Sequence, residues 1–242
     1  MQEVGYPDAM PRETLTRDQI VRAAIELLDA EGVEGLSMRR LGQRLGSAAT
    51  AVYWHVGNKD NLLGLAGDQV WAEVDLPAPE ESGWRAAAGA LAHGTYAMLA
   101  RHPWLVPAIG AHFLYGPGLA RYQDHCYAVL EEAGFAGTDL DWAMNALFTF
   151  VLGTALNDST EAAMKAQIRR EGGDEQERLE EFSSWANGIA AQYPRLQARI
   201  AELGEGDQEE LKAESFEFGV QTILNGLEAR LAATADAPAQ TR

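Results

Sequence analysis

Three groups of residues in this chain are of types that do chemistry. Tyr53, Trp54 and His55 stand side by side ahead of a Gly57-Asn58-Lys59 stop. His102, His112 and His125, the last beside Cys126, suggest a metal or an acid–base pair. A scatter of rings and polar groups, Thr95, Met98, Trp104, Phe113, Tyr122, Asn145, Phe148, Thr149 and Trp185, suits the lining of a cavity.

The histidines carry the least. His125 and Cys126 are adjacent, so on a helix their side chains diverge. No HExxH, paired cysteines, phosphate loop or nucleophile elbow accompanies them. They read as partly buried hydrogen-bonders or surface groups, and no enzyme activity, metal or cofactor is expected. The ring set is weak residue by residue, because ordinary core packing uses such residues equally well. As a set it fits a small-molecule pocket, since a chain without enzymatic motifs but with a binding head needs an input. The Tyr-Trp-His trio says most. A helix that only supported its neighbours would rarely display it, although Tyr53 and Trp54 also have the size to pack a small three-helix core.

The elements that must hold these groups are helices. Thr16-Arg-Asp-Gln19 is a capping box with Leu15 and Ile20 as its staple. Ile20, Ala23, Ala24, Leu27 and Leu28 then form one apolar stripe, and Gly32 fits the C-terminal cap. Ser37 is expected to cap a short helix carrying Leu41 and Leu45, and Ser47 to open another that runs to His55. Two short helices so closely joined have helix-turn-helix dimensions. Leu41, Leu45, Val52 and Val56 face inward in that arrangement, leaving Thr50, Tyr53 and His55 outside. Asn58 predicts a cap for a longer helix from Lys59 to about Val74.

The Pro- and Glu-rich stretch 75–83 breaks the pattern and reads as a joint. Beyond it, helices are predicted over 84–101, 103–111, 119–133, 139–170, 175–203 and 208–233. With no alternating strand pattern and no repeat, the expected fold class is all-α. A helix-turn-helix head occupies 12–75 and a larger ligand-binding and dimerisation body 82–233. The Ala/Pro/Thr-rich tail, 234–242, is expected to be disordered.

Composition limits the partners. The net charge is −17, yet Arg12, Arg17, Arg22, Arg39, Arg40, Arg44 and Lys59 balance seven acidic residues between positions 12 and 60. The head is therefore neutral and the body acidic, an asymmetry that lets the head approach phosphate while the body is repelled. A single cysteine excludes an internal disulfide framework and fits a reducing cytoplasm. No stretch approaches the length of a membrane span, and the N-terminal residues carry no signal pattern, so no membrane partner is expected.

The helix at 139–156 is apolar nearly all round, as is the last one, and such helices must be covered on every side. A four-helix interface between two copies, built on Leu147, Val151, Gly219, Ile223, Gly226 and Leu227, solves that problem and predicts a homodimer.

In the run from Leu36 to Gly46, in Tyr53-Trp-His-Val-Gly-Asn-Lys59, and in body segments 152–158 and 216–228, the chain resembles the tetracycline-repressor (TetR) family of bacterial regulators. The resemblance implies a repressor that binds a palindromic duplex operator and is released by a small, largely apolar effector. An activator or corepressor-dependent regulator of the same fold is the alternative. By position, Arg39 matches a base-reading arginine, a fork suited to guanine. Tyr53, Trp54 and His55 match residues near the DNA backbone and thymine methyls, and Lys59 matches a phosphate-binding lysine. Arg17, Ala48, Ala49 and Thr50 complete the expected DNA face. Ala49, Thr50 and Ala51 depart from the family's namesake, so a different operator is expected. Asp75 and Ile109 fall near its drug–metal chelating histidines, which argues against a magnesium-bound drug as effector.

Overall fold

In the computed structural model, which describes residues 15–203 and 208–235, every regular element is an α-helix. Positions 12–14 of the expected head, residues 204–207 between the last two expected helices and residues 236–242 of the expected tail lie outside the described residues.

The head follows its capping signals. Helix α1 (Arg17–Gly35) begins where Thr16 Oγ1 accepts the Gln19 N–H at 3.2 Å, while Gln19 Oε1 accepts the Thr16 N–H at 2.8 Å. Its regular part ends at Gly32, whose φ of +69° an L side chain rarely adopts, and one more turn follows. Ser37 caps α2 (Met38–Arg44). Helix α3 (Ala49–Val56) starts later than Ser47 predicts. Its N-cap is Ala48, so no side chain accepts from its first N–H groups. Helix α4 (Lys59–Trp71) is capped by Asn58, whose Oδ1 accepts the Asn61 N–H at 2.7 Å, and it stops three residues short of the expected end.

A single turn, α5 (Pro79–Ser82), occupies the joint. The body follows as α6 (Trp84–Arg101), α7 (Leu105–Ala111), α8 (Pro117–Glu132), α9 (Gly137–Glu171), α10 (Glu175–Ala190), α11 (Pro194–Leu203) and α12 (Gln208–Ala235). The helix predicted over 175–203 is two helices. Pro194 lacks an N–H to bond backwards and disfavours helical geometry in the residue before it. No helix among the described residues is long and apolar enough to cross a membrane.

Head and body share one core. It runs from Ile20, Leu41, Val52 and Leu62, through Val70 and Trp71 at the end of α4, to Leu91, Met98, Val129, Val151 and Leu224. Helix α4 is therefore the buried bridge between the two parts. Polar contacts reinforce the seam. Asp29 of α1 accepts from Trp104 Nε1 at 2.7 Å and lies 2.7 Å from His102 Nδ1, whose other ring nitrogen is 3.2 Å from Glu73. Arg169 and Arg170 of α9 donate to the carbonyls of Ala30 and Glu31, at the C-terminal end of α1.

Candidate nucleic-acid interface and ligand cleft

The short helix α3 turns Val52 and Val56 into the core and leaves Thr50, Tyr53 and Trp54 exposed. Trp54 is 82% exposed, which no packing role in a three-helix core explains. It meets His55 edge-on, with ring centroids 4.8 Å apart. Ala48, Ala49 and Thr50 stand at the N-terminus of α3, where the uncapped N–H groups leave donors free.

The arginines of α2 divide sharply. Arg40 is tied to Glu31 through both its terminal nitrogens, and that pairing holds the Glu31 carboxyl below its usual range. Arg44 pairs with Glu26 at 2.5 Å. Arg39 is exposed and has no side-chain partner among the described residues, and the same holds for Arg17 at the start of α1. Lys59 is half-buried and donates to the Val33 carbonyl at 2.9 Å, which uses one of its three protons. The expected phosphate contact thus has a second, structural role: it ties α4 to the end of α1.

In the body, α6, α8 and α9 enclose a cleft in two parts. The inner part is a gap of about 20 Å³ among Leu91, Tyr122, Cys126, Val129, Leu147, Phe148, Val151 and neighbouring side chains. That is room for about one water, so an organic occupant requires side chains to move. The outer part is a recess of about 280 Å³ among Tyr122, Gln123, Tyr127, Asp141, Met144, Asn145 and Phe148. Tyr122, Met144 and Phe148 belong to both and separate them. Burial raises the Tyr122 phenol far above its usual value and pushes the Cys126 thiol up to about 11, so both are neutral near pH 7. Thr95, fully buried, donates to the Tyr122 hydroxyl at 2.9 Å.

The predicted pocket residues are therefore only partly gathered. Tyr122, Asn145 and Phe148 line the cleft; Thr95 lies behind Tyr122, and exposed Thr149 donates to Asn145 at 3.3 Å. Met98 is a fully buried core residue that lines neither part. Phe113 is 93% exposed and stacks on Tyr115, while Trp185 is 63% exposed beside Phe182 on α10. Trp104 is buried, but at the seam with α1. Aromatic type alone did not separate these surfaces.

Trp71 of α4, outside the expected lining set, lies behind two rings of the cleft. Its ring packs on Tyr122 at 4.9 Å and on Phe148 at 6.2 Å. It is 1% exposed, and its indole N–H has no hydrogen-bond partner among the described residues. One turn earlier on α4, Asp68 Oδ1 accepts the N–H groups of Gly118 and Leu119 at 2.6 and 3.3 Å, capping α8 from outside it. The fit leaves no room at Gly118, where a Cβ would lie 2.2 Å from the Asp68 carbonyl oxygen.

The expected dimer residues also divide. Val151 is buried within the protomer, and a Cβ on Gly219 would sit 2.1 Å from Phe150 Cζ of the same chain. Val151 faces the inner gap of the cleft, and Gly219 serves the packing of α12 on α9. Leu147, Ile223 and Leu227 are half-buried, and Gly226 is exposed with open space around it. Trp142 and Leu156 of α9 and Phe218 of α12, large apolar residues absent from the expected set, are exposed.

A family model described as "Bacterial regulatory proteins, tetR family" matches residues 20–65, and one described as "Tetracyclin repressor-like, C-terminal domain" matches residues 76–231. The chain belongs to the TetR family. It is 35% identical over 215 residues to an HTH-type transcriptional regulator of Saccharopolyspora erythraea, covering 89% of this chain and 85% of that protein. To the HTH-type transcriptional repressor DrrR1 of Streptomyces coeruleorubidus it is 31% identical over 234 residues, covering 93% and 82%. Among solved structures, the TetR family protein ActR of Streptomyces coelicolor in complex with actinorhodin matches with a TM-score of 0.68 at 28% identity, covering 90% of this chain and 98% of that one. The TetR assignment gives the chain its general role, a transcriptional regulator with a helix-turn-helix head.

Proposed function

We propose that the protein is a homodimeric repressor that holds a palindromic operator and lets go when a neutral, mostly apolar, ring-containing effector enters the cleft between α6, α8 and α9. The observation that carries the reading is the position of Trp71. It joins the cleft rings to the same helix whose first turn, at Asn58 and Lys59, adjoins α3. An effector that parts Tyr122 and Phe148 moves the end of α4, and α4 carries the head. Uncharged Tyr122 and Cys126 suit a neutral ligand, and the unpaired Trp71 N–H suits a carbonyl or quinone oxygen on it. The likeness to ActR, solved in complex with actinorhodin, supports a small-molecule effector.

Arg39 and the small residues Ala48, Ala49 and Thr50 read base edges, Tyr53, Trp54 and His55 lie along the backbone, and Arg17 and Lys59 contact phosphates. Two heads on a symmetric dimer match two half-sites one helical turn apart. The exposed apolar faces of α9 and α12 form the dimer contact, and the exposed Phe182, Trp185, Ile189 and Tyr193 of α10 and its end embrace the second copy.

The test is an operator selected from random duplexes by the purified protein, followed by titration of the complex with an aromatic compound library. Dyad-symmetric operators and release by neutral polycyclic carbonyl compounds, unaffected by magnesium or chelator, support the proposal. Asymmetric sites, or tighter operator binding on addition of the active compounds, count against repression relieved by an effector.

A further inference from the structure

A second cavity, of about 300 Å³, lies at the seam between α1 of the head and α7 and α9 of the body. It shares no lining residue with the body cleft. Its walls are apolar, with Leu28 and Val33 on one side, Trp104 and Pro107 on another, and Ala162 and Ala166 on the third. In volume it stands at the small end of sites that hold organic ligands.

The charge around it is one-sided. Asp29, Glu31 and Glu34 line it against Arg170, with His112 3.7 Å from Asp60. Asp29 is engaged by His102 and Trp104, Glu31 by Arg40, and Arg170 donates to the Glu31 carbonyl at 2.6 Å. Glu34 has no partner among the described residues, and the chain as a whole carries −17.

We propose that this seam cavity is a second ligand site, for a small aromatic monocation whose ring lies among Trp104, Pro107 and the alanines of α9 and whose protonated amine faces Glu34. An occupant touches α1 on one side and α7 and α9 on the other. It therefore binds unequally to different tilts of the head, which is the condition for a ligand to shift that equilibrium. Binding here does not require that the body cleft take an effector, and it is measured without DNA.

The experiment is isothermal titration of the full-length protein at pH 7 with three probes that share one ring: tryptamine, 3-ethylindole and indole-3-propionate. Tryptamine should bind tightest and the anion weakest. Glu34→Gln should bring tryptamine down to the level of 3-ethylindole, a loss of about fivefold, as befits an ion pair at an exposed carboxylate. Ala163→Phe, which fills the cavity from α9, should abolish binding of all three. Glu34 is an exposed surface residue, so its variant remains informative should Ala163→Phe fail to fold. Equal affinity for the three probes, preference for the anion, tryptamine binding that survives Glu34→Gln unchanged, or no binding at millimolar concentration each overturns the proposal.

Discussion

The indole of Trp71 and the phenol of Tyr122 lie 4.9 Å apart, centroid to centroid, and through them the head's last helix touches the wall of the body cleft. Trp71→Phe keeps most of that ring contact and removes the unpaired N–H. Losing buried area and losing an unsatisfied donor offset each other, so stability should change by no more than about 1 kcal/mol. Effector potency in operator release should drop about tenfold, the worth of one hydrogen bond in a buried site. Thermal unfolding and release titrations on one preparation separate the two; unchanged potency removes Trp71 from the ligand site.

Asp68 caps a helix that it does not belong to. Asp68→Ala should cost about 1 kcal/mol, as loss of an N-cap does, and should loosen α8 at its first turn. Hydrogen exchange at Gly118 and Leu119 is the direct measurement. Protection there equal to wild type would mean that the cap is dispensable.

Arg39 and Lys59 should fail in different ways. Arg39→Ala should relax preference at one base pair per half-site, by about 1–3 kcal/mol, and leave head stability intact. Lys59→Ala should weaken every duplex alike and flatten the salt dependence. It should also lower the melting temperature, because the Val33 carbonyl loses its donor. Binding to matched and mismatched duplexes across a salt series, with a melting curve for each variant, distinguishes them.

The seam should respond to pH through His102. Burial opposes its charge, but the hydrogen bond and field of Asp29, then those of Glu73, outweigh burial and hold its pKa above 6.5. A raised folded value means that protonated His102 stabilises the protein fully below about 6.5 and that the contribution is lost as pH climbs through the raised value. Urea unfolding of wild type and His102→Gln from pH 5.5 to 8.5 should show the wild-type advantage shrinking with pH. An advantage that grows with pH would reverse the assignment.

Phe218 is 75% exposed on α12 and adds nothing to the protomer core. Phe218→Arg should shift sedimentation from dimer to monomer at micromolar concentration while leaving the helical circular dichroism unchanged. A dimer that persists in this variant would place the contact elsewhere.

The head was legible because its signals are local: a capping box, a Ser cap, an Asn cap and an apolar stripe each act within a few residues. Where a local signal was absent, the boundary slipped, as at Ser47, which yields its expected place to Ala48. The pocket was less legible, because Tyr122 inside and Phe113 outside are equally aromatic and only the turn between α7 and α8 separates them. Arg39 and Arg40 are indistinguishable as neighbours in the chain. The carboxylate of Glu31, on another helix, engages one and leaves the other free. Charge pairing across helices has no period to read.

The bond from Asp68 to the Gly118 N–H also bears on how such regulators can be recombined. Although α4 lies on the head side of the joint at 75–83, its second half is built into the body: it caps α8 and fills the space beside Tyr122. A graft that exchanges binding heads at the joint would bring in a foreign α4 and leave α8 without its cap and the cleft without Trp71. A cut at Gly57, ahead of the Asn58 cap, keeps α4 with the body, provided that the incoming α1 keeps an Asp at position 29 for His102 and Trp104. A new reading head then arrives on α1 to α3, and the sensor keeps its own lever.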